Sequence, residues 1–228
     1  MIKIITNKQI NNNQKTKKPM KTTITTIAML AMLATAFTSC KKDKKDEPAP
    51  AAPAPPANEG ELITTMKVIL RDSTAHSTAI YEFKDLDGPG GNAAAFGGSN
   101  QSDSVITILS GHIYKASILL LDETKSPVDT ISNEVEEEGA DHMFFFNSIT
   151  PQVATSYTVN LNGGTIIKYL DSDTNGRGIG LETLWTANPT SSAIEPLKIE
   201  LKHQPGVKDG TYSPGETDIQ VDFKLIVN

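Results

Sequence analysis

The sequence predicts an antiparallel β-sandwich, and three observations carry that expectation. Apolar residues recur at every second position in run after run of residues 60–228. Polar and glycine-rich clusters such as DGPGGN, NGG, DSDTNG and KDGTYSPGE separate those runs. The stretch is long enough to bury a core without disulfides, and it contains no cysteine.

The elements follow in chain order. Met66, Val68 and Leu70 share one face, with Lys67 and Arg71 opposite. Ala79, Tyr81 and Phe83 alternate with Glu82 and Lys84. Residues 104–109 are a short β-branched run. Tyr114, Ala116, Ile118 and Leu120 form the next face. Asp129 to Asp141 breaks the pattern: Ile131 and Val135 lie four apart among acids, which fits one or two helical turns over a sandwich edge. Gly139 would end that helix. Further strands are expected at 142–146, 155–161, 164–170 and 181–187. Leu197, Ile199 and Leu201 alternate with Lys198, Glu200 and Lys202, and the odd positions Ile219 to Val227 are apolar. About nine or ten strands with one short acidic helical segment fit an immunoglobulin-like sandwich. The Cys–Trp–Cys hallmark is absent, which leaves the strand topology open. Trp185 reads as core, with sugar stacking as the other use of a lone tryptophan.

The first 59 residues have another character. Residues 1–19 are basic and Asn-rich without apolar periodicity, and translation is expected to start at Met20. A basic start, the apolar run Ile27 to Phe37 and small polar residues lead to Cys40, the only cysteine. The run is too short to span a bilayer, which needs roughly 20 residues. This is the layout of a secretion signal over residues 1–39. Ser39 directly before Cys40 resembles the lipobox of bacterial lipoproteins, although Phe37 stands where leucine is usual. The resemblance implies cleavage before Cys40 and lipidation of its thiol. Several acyl chains would anchor the protein to a membrane without spanning it. The only thiol is then consumed, leaving none for catalysis or metal binding. Residues 40–59 would carry the lipid and a linker with five prolines, long enough to reach roughly 60 Å. Residues 60–228 are the folded domain.

Charge narrows the partners. Six of 21 basic residues precede Cys40 and no acid does, so the remaining chain has 15 basic against 27 acidic residues, a formal −12. Nucleic acid is a poor partner for such a surface, and cations are a better one.

Two constellations could bind metal. Asp171, Asp173 and Asn175, then Gly176 and Glu182, satisfy D-x-[DN]-x-[DN]-G-x5-E, the calcium loop signature. Calcium takes six to eight oxygens, and alternating acids around a glycine turn can wrap one ion. The flanking segments read as strands, so a plain hairpin rich in turn residues is the competing reading. The second constellation is EVEEEGADHMFFF with the later LKH. Glu134, Glu138 and His142 fall at i, i+4, i+8, and Gly139 interrupts the stripe. His203 ends a strand in phase with its apolar face. Glu138, His142 and His203 could together bind zinc or another divalent transition metal. A solvated acidic face is the competing reading. Catalytic signatures are missing: there is no G-x-S-x-G, H-E-x-x-H, P-loop or dinucleotide fingerprint. His76 and His112 lie in polar turns without a local nucleophile. An enzyme is not expected.

ELITTMKVIL, FKDLDGPGGN, LLLDETKSPVDTISNEVEEEGADHMFFF, LKHQPGVKDG and GETDIQVDF resemble a family of small Bacteroidota outer-membrane lipoproteins, over essentially the whole domain. Some members carry the label type 1 periplasmic binding fold superfamily. Such a fold alternates strands with long helices and needs far more chain. The resemblance implies a location in the cell envelope, on the periplasmic or the surface side of the outer membrane. It also favours Glu138, His142 and His203. The leading functional expectation is a non-catalytic accessory protein capturing a divalent metal for an outer-membrane transporter. The alternatives are a structural or interaction module stabilised by calcium, and a glycan-binding accessory module.

Overall fold

The computed structural model describes residues 62–88, 91–98, 104–153, 156–188 and 194–228. The leader, Cys40 and the linker lie outside the described residues.

Two sheets form the domain. The strands are β1 Thr65–Asp72, β2 Ser77–Lys84, β3 Ala95–Gly98, β4 Val105–Ile108, β5 Ile113–Leu121, β6 His142–Phe146, β7 Gln152–Val153, β8 Tyr157–Asn160, β9 Ile166–Tyr169, β10 Glu182–Thr186, β11 Glu195–His203 and β12 Glu216–Val227. Eight strands run in the order β3-β2-β1-β5-β10-β9-β8-β7, and four in the order β4-β12-β11-β6. All pairs are antiparallel except β12 with β4. The expected β-sandwich is what the chain forms.

The two sheets meet through side chains that the alternation places inward. Met66, Val68, Leu70, Ile199, Leu201, Val221 and Leu225 are buried. Phe146 packs edge-on against Trp185 and Tyr169 of the larger sheet, and Phe96 edge-on against Phe223. Tyr81 and Tyr169 donate their hydroxyls across the sandwich to the carbonyls of Thr107 and Phe144. Each large apolar side chain buried this way contributes roughly 1.5–3 kcal/mol. Trp185 is 1% exposed and donates to Thr183, so it is a core residue, out of reach of a sugar.

The expected helix is shorter than its acidic run. Helix α1 spans Ile131–Glu137 and buries Ile131 and Val135. Ser132 accepts the amide of Leu120, which ties α1 to β5. The helix is capped at Glu138, one residue ahead of the expected stop, and Gly139 lies in the turn that follows, where a Cβ would come 2.6 Å from the Ile179 side chain. The chain turns at once into β6, all five residues of which are buried. Its outer face is covered by Tyr212, packed edge-on against Phe145.

Candidate metal centre

One end of the smaller sheet brings two predicted ligands together by register. β6 begins at His142 and β11 ends at His203, and the two residues are direct cross-strand partners. Such partners share a face, with Cβ atoms about 4.5–5.5 Å apart. That face is the one carrying Phe144, Phe146, Ile199 and Leu201. The histidines therefore close the apolar layer at its rim. Their rings stack with centroids 4.5 Å apart and planes 7° from parallel.

Glu138 arrives by a different route. α1 stops at Glu137, and the following turn is closed by the amide of Asp141 donating to the Glu138 carbonyl. This turn, rather than a continuous helical stripe, sets Glu138 against His142; Glu134 is outside the cluster. One ligating atom from each of Glu138, His142 and His203 lies within 4.8 Å of the others. Ligand atoms held 2.0–2.1 Å from a tetrahedral ion are about 3.4 Å apart. The atoms must close by up to about 1.4 Å, and the two stacked rings must turn out of parallel, before one ion can lie in the plane of both.

Burial grades across the cluster: His142 is buried, His203 half-buried and Glu138 exposed. His203 opens on a cleft of about 290 Å³ shared with Pro205, Val207, Gly215 and Glu216. Burial first, and then the neighbouring His203, lower the His142 pKa to about 4. Its ring is therefore neutral at ordinary pH, which metal binding requires. The Nδ1 atom of His142 faces the Glu138 carbonyl at 3.3 Å, and Nε2 lies 3.8 Å from Asp218 Oδ2.

The loop after β11 frames the site. The backbone amide of Gln204 donates to the Asp141 carbonyl, and its buried side chain donates to the carbonyls of Thr211 and Pro214. Gly215 has φ +78°, and a Cβ there would meet the His203 carbonyl oxygen at 2.1 Å. Only glycine fits where the loop returns against the site.

The calcium-like loop is arranged otherwise. Asp171 accepts the amides of Gly180 and Glu182. Asp173 Oδ1 accepts those of Asn175 and Arg177, and its Oδ2 lies 3.1 Å from Lys208 Nζ. Lys208 also donates to the Gly139 carbonyl at 2.6 Å. Glu182 pairs with Lys115 at 2.6 Å. Asn175 is exposed. The carboxylates thus meet main-chain amides and two lysines, and Lys208 supplies a cation from within the chain. Burial pushes the Asp171 carboxyl up despite its two amides. Burial also opposes ionisation of Asp173, but the Arg177 amide and the Lys208 ammonium outweigh it and hold that carboxyl below its ordinary value. Burial draws the Lys208 pKa down. Ser172 and Gly178 bridge as in a hairpin, which matches the turn reading of this segment.

Three residues here carry no signal in the sequence. Lys208 sits in a KDG turn and reads as exposed, yet its side chain is 1% exposed. His112 has a partner after all, since its Nδ1 lies 2.7 Å from Asp72 Oδ2. Asp72 Oδ1 also accepts the amides of Thr74 and Ala75. This pair fastens the turn between β1 and β2 to the start of β5. His76 lies in that turn at φ +53°. A separation of forty residues hides the pairing from any local pattern.

Comparison with protein-family models, with curated proteins and with solved structures returns no match.

Proposed function

We propose that this chain is a lipid-anchored, non-catalytic accessory protein of the bacterial outer membrane that captures a divalent transition metal through Glu138, His142 and His203 and presents it to a transporter. The observation that carries this reading is the convergence of the three ligating atoms at the rim of the smaller sheet. Two imidazoles and a carboxylate favour zinc and its neighbours over calcium or magnesium, which take oxygen ligands. The graded burial suits capture. Glu138 meets solvent, His203 borders an open cleft, and His142 holds a lone pair at the inner end. Three protein ligands leave a coordination position that water or a partner's side chain can fill. Delivery to a membrane transporter rests on the Cys40 anchor and the Pro-rich linker, which give the domain reach without a span.

Calorimetric titration of the purified protein with zinc tests the reading. One ion per chain should bind, and His142→Ala and His203→Ala should each abolish it. Undiminished binding in either variant overturns this ligand set.

A further inference from the structure

The outer face of the larger sheet differs in charge from the rest of the domain. Lys67, Arg71, Lys84, Lys115 and Lys168 point outward there, in alternation with the buried positions of β1, β2, β5 and β9. They are five of the eleven basic residues in 62–228. Of the twenty-two acids in that span, only Glu82, Glu182 and, at the margin beside Lys84, Glu123 share the face. The rest of the domain carries nineteen acids against six bases.

Register lines three of these cations up. Arg71 lies opposite Lys115, Lys115 opposite Leu184, and Leu184 opposite Lys168, so the row crosses β1, β5, β10 and β9. Neighbouring strands are about 4.8 Å apart, which spaces Arg71 and Lys168 by about 14 Å. Like charges directly opposite one another destabilise a sheet. Glu182 eases Lys115 at 2.6 Å, but Arg71 donates to the Ser117 hydroxyl, and no carboxylate among the described residues pairs with Lys168. Aliphatic side chains share the face: Leu184 within the row, and Ile113 and Leu170, 40% and 46% exposed, on either side of it.

Cations spread across a sheet among exposed aliphatics suit an anionic lipid surface. The charged ends reach phosphate, while their stems and the aliphatic side chains lie against the headgroups. The acidic remainder of the domain would be repelled there. The two sheets lie about 10 Å apart, beyond the Debye length of about 8 Å at physiological salt, so acids of the smaller sheet act only weakly on lipid beneath the basic row. The chain also enters the domain on this sheet, at Thr65 of β1. With Cys40 lipidated, only residues 41–61 separate the anchor from the described domain.

We propose that the outer face of the eight-stranded sheet docks on the anionic phospholipid surface that holds the Cys40 anchor, with Arg71, Lys115 and Lys168 on the headgroups. The proposal rests on the anchored reading of the protein. It turns the smaller sheet, with His142 and His203 at its rim, away from the lipid, where a partner can reach them.

The test uses the natively processed protein on vesicles of phosphatidylcholine alone and of phosphatidylcholine mixed in equal parts with phosphatidylglycerol. Acetylation of lysine amines, read by mass spectrometry, reports which face is covered. Lys115 and Lys168 should lose most of their reactivity on the anionic vesicles and keep it on the neutral ones. Lys224, exposed on the outward face of the smaller sheet, should react alike on both. High salt should restore the lost reactivity. Arg71→Gln and Lys168→Gln should each weaken the contact roughly 5-fold and together free Lys115, without lowering the melting temperature. Equal reactivity of Lys115, Lys168 and Lys224 on anionic vesicles overturns the docking face. Protection of Lys115 and Lys168 without vesicles assigns the face to a second copy of the chain and overturns it too. Failure to float with neutral vesicles overturns the anchor instead, and the lysine rates on anionic vesicles still decide the face.

Discussion

At the scale of single residues, protonation and buried charge give the sharpest expectations. An unfolded histidine takes up a proton near pH 6.5, whereas folded His142 does so only near pH 4. Between those values the unfolded chain binds more protons, so stability rises with pH. The metal-free protein should lose stability as pH falls from about 6.5 to about 4, by roughly 3 kcal/mol through this group. Thermal melts in chelator at stepped pH check this, and His142→Gln should flatten the slope over that window. Lys208 makes the second case. Its ammonium holds Asp173 and the Gly139 carbonyl with both ionic side chains 1% exposed. Lys208→Met would strand the Asp173 charge and should cost about 3–5 kcal/mol in denaturant unfolding. Calcium should leave the melting temperature of the unsubstituted chain unchanged, because Lys208 and Lys115 already pair with Asp173 and Glu182 and main-chain amides hold Asp171. A calcium-dependent rise would show that the ion displaces them.

At the scale of elements, the long strands were legible and the irregular ones were not. β1, β5 and β12 announce themselves because each has one face in the core and one turned outward, so composition alternates with the pleat; β11 alternates too, although Glu200 and Lys202 on its second face are buried beneath Tyr212. β3 is Ala-Phe-Gly-Gly and β7 is two residues long, which is too little for a period to show. The parallel pairing of β4 with β12 joins residues over a hundred positions apart, and local patterning says nothing about such contacts. The same limit divides the rim of the smaller sheet. His203 was readable because it falls in phase with Leu197, Ile199 and Leu201, whereas the inward turn of Asp218 was not, because a bulge cancels the alternation there. The loop between β11 and β12 has its own requirement at Gly215. Gly215→Ala would drive a methyl into the His203 carbonyl at a positive φ and should destabilise the fold by about 1–3 kcal/mol. Zinc affinity should drop with it, since the displaced carbonyl belongs to His203, one of the three proposed ligands. Retained stability and affinity in that variant would show that the loop does not position the site.

At the scale of the whole molecule, the proposed function requires an anchor, a reach and a capture domain. Cys40→Ser should move the protein from the membrane fraction to the soluble one, and fatty-acid labelling should vanish with it. Residues 60–228 expressed alone should give a β-type far-UV spectrum whose melting temperature is indifferent to reductant, since no thiol remains in them. A spectrum dominated by helix would contradict the sandwich. The central claim is that His142 and His203 share one ion with Glu138. X-ray absorption at the zinc edge of the loaded protein tests it most directly. The account predicts only nitrogen and oxygen neighbours at about 2.0–2.2 Å, with outer-shell scattering from two imidazoles. Scattering from fewer than two imidazoles, or a sulfur neighbour near 2.3 Å, would contradict it.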